Sequence, residues 1–561
     1  MSQLTLPEIL HTLSHSLRAT FPRQITDAAH PDYGGVIRPE WGIADPSHVT
    51  TTPFIAGCAY LYLAQAESRE SASEIAPADL LTRATIAIDY LLRAQRPSGL
   101  IDLRDCNYDS SPDTGFTVQV LCALIELTRP LAQRDATFAT FLDKVERFVR
   151  RAVPGMLTGG FHTPNHRWVI ASALAQAGAL FPDLPVKPTI EAYLAEGFDL
   201  DADGAYIERS SGVYDAVCDR SLLLLADHWD CPTARATVAA NLNWNLHLLH
   251  ADGTIETGLS HRQDYGIASV PLGLAPAFLH SAARDPNPVF VRAAQMLWDK
   301  ATERGVSGAA WMFYILRKFG EPEQVEASLP EDFARYFSHN GIWRVRRGAL
   351  SASFFRGATR LMNLRFGQAE LSSVKISANY FGTACGWFIG DALDVQGDTA
   401  TFRSEGLGRP RRPGYELPLG RAVPPEQYEA MTSQRALRRL PPLTSTLTAR
   451  KVARGFDLCY KTLDGLDRVV SQIAFDFPPG GIWETEDTCL KPQAGQTIFL
   501  KRGFGLMRYG DDVIEIGPGA DAHRIWQMRD AELAPQHVRV LMTFVTPIEH
   551  AFAIRMRGRG D

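Results

Sequence analysis

The chain is short of the features that would tie it to a nucleic acid, a membrane or an oxidising compartment. It has no excess of one charge, because 57 Lys and Arg stand against 63 Asp and Glu, well mixed along the chain, for a net charge of −6. No field of one sign is left to draw a polyanion or an anionic lipid surface. None of its eight cysteines forms a CxxC pair, and Cys58, Cys122 and Cys218 fall in apolar helical contexts that suit reduced core thiols. Cys106, between Asp105 and Asn107, has no activating base near it in sequence and reads as a small residue at a loop edge. Met1 to His11 lacks a basic segment followed by an apolar one, and no later run approaches the length of a membrane span. The expectation is a soluble, cytoplasmic protein that meets any anionic ligand with a local cluster.

What is present is enough apolar sequence for large cores. With 561 residues and 45% hydrophobic content the chain should divide into at least two domains. Its pattern changes once, near residue 330. Before that point residues 50–66, 76–94, 115–130, 136–152, 166–181, 211–228, 233–250 and 285–303 carry apolar side chains at i, i+3 and i+4, the helical period. After it come β-rich runs, among them Gly341 to Arg347, Leu350 to Phe355, Ser373 to Ala378 and Val538 to Val545, separated by Gly, Pro and Asp. The expected domains are residues 1–330, helical, and 331–561, a β-sandwich or antiparallel β-sheet. A basic, Pro- and Gly-rich stretch from Arg403 to Arg439, holding Arg409, Arg411 and Arg412, predicts a long surface loop over about 403–445.

The helical half repeats a turn. Ser98 to Asp102, Asp203 to Glu208 and Asp252 to Glu256 share a glycine followed by an apolar and an acidic residue, and Gly159 to His162 is a looser copy. The spacing is near multiples of one helical hairpin, which suggests an incomplete α/α toroid whose turns open on one end. Polar groups follow each turn: Asp105, Asn107, Tyr108, Asp109 and Asp113; then Asn165, His166, Arg167 and Trp168; then Glu208, Arg209 and Tyr214; then His261, Arg262 and Asp264. An amide, an imidazole, a guanidinium, a carboxylate and a phenol brought together can grip a uronate sugar and move protons beside it. Aromatic faces stack on the C–H patches of a pyranose, while amides and carboxylates read its hydroxyls.

Each of these residues also has a plainer reading. His166 could pack its ring under a neighbouring hairpin, Tyr214 could be a core tyrosine, and Glu208 could cap a helix or pair with Arg209. Asp113 suits a helix cap after its Ser-Pro run, and the default for His261 to Asp264 is a solvated turn, against which stands a carboxylate-binding role for Arg262. Asp105, Asn107, Arg167, Trp168, Arg209, His261 and Arg262 stand as substrate-binding candidates.

Helical hairpins followed by a β domain, with Asn165-His166 after one turn and Glu208 to Tyr214 after the next, resemble the heparinase II/III and alginate lyase superfamily over nearly the whole chain. The resemblance implies a catalytic set of Asn165, His166, Tyr214 and Glu208, with Asn165 or His166 neutralising the uronate carboxylate and Tyr214 exchanging protons with C5 and the leaving O4. In the β half, Phe366 to Ala378 resembles the family's strand motif, but Phe366 or Gly367 and Gln368 stand at its histidine positions and Glu370 at its aspartate. Gln368 thereby joins the substrate-binding candidates, the family's zinc site is degraded, and no cofactor is expected.

Two reactions fit. β-Elimination from a uronate-containing oligosaccharide would use Tyr214 and His166 for proton transfer. Hydrolysis by a uronidase such as a β-glucuronidase would instead need two carboxylates among Asp105, Asp109, Asp113 and Glu208. A glycan-binding protein without catalysis is the third reading. No nucleic-acid or membrane partner is expected, and a homodimer or higher homo-oligomer would cover the sheet edges.

Overall fold

The computed structural model describes residues 4–67, 74–303, 308–323, 326–380, 386–405, 415, 418–436, 441, 443–529 and 531–558. The chain divides into two units, Met1–Leu249 with Gly253–Leu329 and His250–Asp252 with Pro330–Asp561.

Among the described residues the first unit holds α1 (Leu6–Thr20), α2 (Thr51–Glu67), α3 (Pro77–Ala94), α4 (Ser111–Ala132), α5 (Ala136–Thr158), α6 (Pro164–Leu180), α7 (Lys187–Ala195), α8 (Tyr214–His228), α9 (Pro232–Leu248), α10 (Leu274–Arg284), α11 (Pro288–Glu303) and α12 (Ala309–Phe319). Two short hairpins pair β1 (Ile37–Arg38) with β2 (Ile43–Ala44) and β3 (Ile101–Leu103) with β4 (Asn107–Ser110). The even-numbered helices pack one on the next from α2 to α12, and α12 returns to α2; the odd-numbered helices pack outside them. The unit is a toroid of helical hairpins.

Burial pattern decides which ring a helix joins. α5 buries one stripe, with Phe138, Phe141, Leu142, Val145, Phe148, Val149 and Ala152 at helical spacing. α4 and α6 are buried on nearly all sides, over Ser111 to Ile125 and Trp168 to Ala177. An inner helix has no solvent face to keep polar. For that reason α4, 22 residues long, has the length and apolar composition to cross a membrane, which corrects the expectation that no run reaches that length; 72% of its apolar window is buried inside the ring.

The eight predicted helical segments correspond to α2, α3, α4, α5, α6, α8, α9 and α11. Of the four outside them, α7, α10 and α12 have only 9, 11 and 11 residues, too few turns for a period to stand out. α1 carries a legible period in Ile9, Leu13 and Leu17.

The repeated turn has a packing cause. Gly99 and Gly204 take left-handed φ angles of +88° and +96°, and a Cβ there would stand 1.8 Å from the Arg151 carbonyl oxygen on α5 and 2.8 Å from the Ala240 carbonyl oxygen on α9. Only glycine permits both the angle and the approach. Gly34 sits in the same way on Ile86 of α3, and Gly253 lies against Met296 and Lys300 of α11. Each of these turns precedes an inner helix and rests on the outer helix that follows it. Gly34 is thus a further copy absent from the predicted repeat, whereas a Cβ at Gly160, in the looser copy, would meet nothing within 4 Å.

The second unit is a sandwich. One sheet runs β10 (Ala392–Gln396), β11 (Thr399–Ser404), β12 (Leu443–Val452), β13 (Gly455–Gly465), β21 (Glu549–Arg557), β19 (Asp512–Gly517), β18 (Gly505–Tyr509), β15 (Ile482–Glu484) and β16 (Cys489–Leu490). The other runs β17 (Thr497–Phe499), β20 (Val538–Val545), β14 (Val470–Phe477), β9 (Ala369–Ala378), β8 (Met362–Phe366), β7 (Leu350–Phe355), β6 (Ile342–Arg347) and β5 (Asp332–Phe337). Neighbours are antiparallel apart from β17, which lies parallel to β20. Aromatic rings interleave between the sheets: Phe354 of β7 meets Trp343 of β6 at 4.9 Å and Phe456 of β13 at 5.0 Å. Of the basic stretch, Arg403 belongs to β11, residues 425–427 and 430–434 form short 3-10 turns, and Arg409, Arg411 and Arg412 lie outside the described residues.

Candidate active site

Three segments of the toroid that are distant in sequence meet at Glu208. One of its oxygens accepts a 2.7 Å hydrogen bond from Asn165 Nδ2, at the start of α6, and the other accepts one of 2.7 Å from Arg262 Nη1. The carboxylate determines how the amide points, since only the Asn165 NH2 can donate to it. Asn165 Oδ1 is left buried and without a partner. The Arg262 guanidinium lies 4.4 Å from the centre of the Tyr214 ring, and the Tyr214 hydroxyl accepts a 3.0 Å hydrogen bond from Gln263 Nε2. Beneath them Asp264 joins the two loops, accepting from Ser210 Oγ at 3.0 Å, the Gly212 N–H at 3.0 Å and Ser260 Oγ. Arg209, next to Glu208, holds a left-handed φ of 50°, strained backbone of the kind that clusters at functional sites.

His166 adds a second orphan beside Asn165. Its Nδ1 is buried without a partner, and its ring lies edge-on to Phe116 at 6.2 Å and to His162 at 4.6 Å. Burial, with smaller contributions from His162 and the Arg262 charge, pulls its pKa down to about 3. The imidazole is therefore neutral at ordinary pH, with one ring nitrogen free to accept a proton. Buried polar atoms are nearly always paired, so two adjacent orphans call for an explanation, and a ligand group is one.

The depressed pKa has a measurable consequence for stability. The unfolded imidazole titrates near 6.5 and the folded one at about 3, so between those values the unfolded state binds more protons. Stability is full above pH 6.5 and falls as pH drops through this window. The unfolding free energy of wild type is expected to fall relative to His166→Gln by about 1.4 kcal/mol per pH unit between roughly pH 6 and 4. Chemical denaturation at a series of pH values measures this. Parallel curves would show that His166 is not buried neutral.

Other predicted site residues sit elsewhere. Trp168 has no exposed surface and donates its indole N–H to Asp199 at 2.8 Å, which corrects its assignment to the substrate. Arg167 is likewise corrected: it pairs with Glu196 and Asp199 at 2.9 Å each and covers the Trp168 ring. Asp113 is buried in the first turn of α4, whose cap is Ser110, and its carboxylate accepts from Ser110 Oγ at 2.6 Å and from Asn107 Nδ2 at 3.0 Å, so the Asn107 NH2 is turned to a structural partner. Asp105 and Asp109 are exposed on the β3–β4 hairpin, with Asp109 bonded to Ser98 Oγ. His261 is exposed, and its backbone N–H donates to the Glu208 carbonyl at 3.0 Å.

Gln368 belongs to the second unit, exposed on the β8–β9 turn, where its backbone N–H donates to Asp512 at 2.8 Å. Around it Phe366 packs against the sandwich core, and Glu370 accepts from Ser372 Oγ at 2.8 Å and pairs with Arg365 at 3.4 Å. This donor set, without imidazole or thiolate, does not fit the zinc of the resembling family. Among the described residues no group of three or more His, Cys, Asp or Glu is placed to hold a metal ion.

Sequence reading missed a buried acidic network behind the site. Asp215 on α8 accepts hydrogen bonds from Asn245 at 3.1 Å and Asn241 at 3.4 Å, and Asn241 also donates to the Gly204 carbonyl at 2.9 Å. Burial raises the Asp215 pKa to about 7. Asp219, one helical turn on, accepts from the Tyr206 hydroxyl at 2.9 Å and is also pushed up by burial. The matched i, i+4 pairs, Asp215 with Asp219 and Asn241 with Asn245, were the available signal. The network fixes the base of the loop that carries Glu208.

Solved structures share this fold. A Paenibacillus xanthan lyase aligns over 98% of this chain and 57% of its own, with a TM-score of 0.55 and 10% identity. The chondroitin AC lyase of Streptomyces coelicolor A3, in complex with chondroitin sulphate, aligns over 98% of this chain and 80% of its own, with a TM-score of 0.52 and 13% identity. No family model and no curated protein matches the sequence. The lyase resemblance read from the turn motifs is borne out as a shared fold.

Proposed function

We propose that the chain is a lyase that cleaves uronate-containing oligosaccharides by β-elimination. The observation that carries this reading is the pair of adjacent buried orphans, Asn165 Oδ1 and His166 Nδ1, next to Arg262 and Tyr214. With its NH2 held by Glu208, Asn165 offers only an acceptor. That acceptor suits the O–H of a uronic acid held in its uncharged form, which makes the C5 hydrogen more acidic. Neutral His166 takes the C5 proton, the electron pair forms the C4=C5 double bond, and the C4–O4 bond breaks. Tyr214, whose oxygen accepts from Gln263 and keeps its own proton to give, protonates the departing O4.

Hydrolysis by two carboxylates has less support. Both Glu208 oxygens are engaged, and the buried Asp113 carboxylate is held by Ser110 and Asn107. The two reactions differ in product. Incubation with a panel of uronate oligosaccharides is expected to raise the ultraviolet absorbance of a conjugated, unsaturated uronate in step with new reducing ends. New reducing ends without that absorbance would replace elimination by hydrolysis, and binding without any product would remove the enzymatic reading.

A further inference from the structure

An open pocket lies beside the cluster, lined by inner helices and by the segments that lead into them. Its volume is about 340 Å³, within the range of small-molecule sites. His48, Phe116, Arg220 and Trp311 contribute its distinctive walls, and Val49 and Leu272 are among its apolar lining. Phe116 is the partition: its ring stacks on His48 at 4.2 Å and meets His166 edge-on at 6.2 Å.

Arg220 is out of place in such a pocket. Among the described residues its guanidinium has no carboxylate partner and no hydrogen bond, and its Nε is closed off from solvent. Its neighbours are rings, Trp311 at 5.2 Å and Phe116 at 6.0 Å. Burial lowers its pKa only to about 10, so it stays charged at neutral pH. Arg220 is half-buried, facing the pocket, and a charge partly withdrawn from water without a counter-ion carries a cost that aromatic faces compensate only in part. An anion from solution would supply the missing partner.

The walls also define what the anion is attached to. One planar fork of N–H groups matches one carboxylate. His48, with a pKa drawn down to about 3 by burial and by Arg220, adds no second positive charge. The remaining apolar and aromatic surface suits a ring with a C–H or aromatic face rather than a small inorganic ion.

We propose that this pocket binds a monocarboxylate carried on a single ring, with the carboxylate on Arg220 and the ring against Trp311 and Phe116. Such a group has two sources. It is either the end residue of a uronate chain, which would limit cleavage to chain ends and rests on the lyase reading, or a free ring carboxylate, which does not depend on that reading.

Calorimetry on the full chain at constant ionic strength tests the proposal with glucuronate, benzoate and their uncharged counterparts glucose and benzyl alcohol. At least one carboxylate is expected to bind with one-to-one stoichiometry, the uncharged counterparts not measurably. Affinity should fall roughly tenfold to a hundredfold in Arg220→Met, the loss of a hydrogen bond to a charged group, and less in Arg220→Lys, which keeps the charge and loses the fork. Preference for glucuronate identifies the chain end, and preference for benzoate identifies a free aromatic carboxylate. Absence of saturable binding by either carboxylate, equal binding of the uncharged compounds, or unchanged affinity in an Arg220→Met protein with a wild-type melting curve would overturn it. Because no turnover is measured, failure of the elimination assay leaves this result independent.

Discussion

Tyr214→Phe is expected to slow formation of the unsaturated product by about 10² to 10⁴, the usual worth of a positioned proton donor, while leaving the unfolding midpoint unchanged. The phenyl ring still lies under the Arg262 guanidinium, 4.4 Å from its centre, and only the oxygen that accepts from Gln263 is lost. Gln263 is exposed and regains water, so no buried group is stranded. Initial rates at saturating substrate, set beside a thermal melt, separate chemistry from folding. A variant with wild-type turnover would remove Tyr214 from the reaction and shift the proton work to His166 alone.

Glu208→Ala is expected to damage both stability and activity. Glu208 is 5% exposed and is the shared partner of Asn165 and Arg262. Removing one member of a buried pair strands the other, at a cost of about 3–5 kcal/mol when both are fully buried. The Arg262 side chain retains 23% exposure and can recover some water, which brings the expected loss to about 2–3 kcal/mol. Asn165 loses the carboxylate that aims its amide, so product formation falls as well. Glu208→Gln keeps an acceptor for Arg262 and should lie between the two in denaturant unfolding. Unfolding curves of Glu208→Ala that superimpose on wild type would mean that the three segments are held together elsewhere.

The fold was readable because period and composition report it directly. Long helices with one buried stripe, such as α5, and alternating strands such as β7 show their class in any window. The cluster around Glu208 was partly readable, because polar residues just past a glycine turn stand out against the apolar helices that follow. Spacing along the chain does not say which way a side chain points. Arg167 is two residues from Asn165, on the opposite side of α6, and its charge serves Glu196 and Asp199. Trp168 lies a turn deeper and is wholly enclosed. Arg220, His48 and Trp311 carried no joint signal, since they lie far apart in sequence and only the packing of α2, α4, α8 and α12 brings them to one pocket.

The seating of Gly34, Gly99, Gly204 and Gly253 on outer helices gives the toroid a division of labour along its rim. At its foot each loop is clamped to an outer helix, at Gly34, Gly99 and Gly204 directly to its backbone, a contact indifferent to the side chains further along the loop. Towards its tip the chain is free to carry whatever groups chemistry requires. Such a rim can exchange one reaction for another by changing tips alone, with the clamps continuing to set where each tip stands.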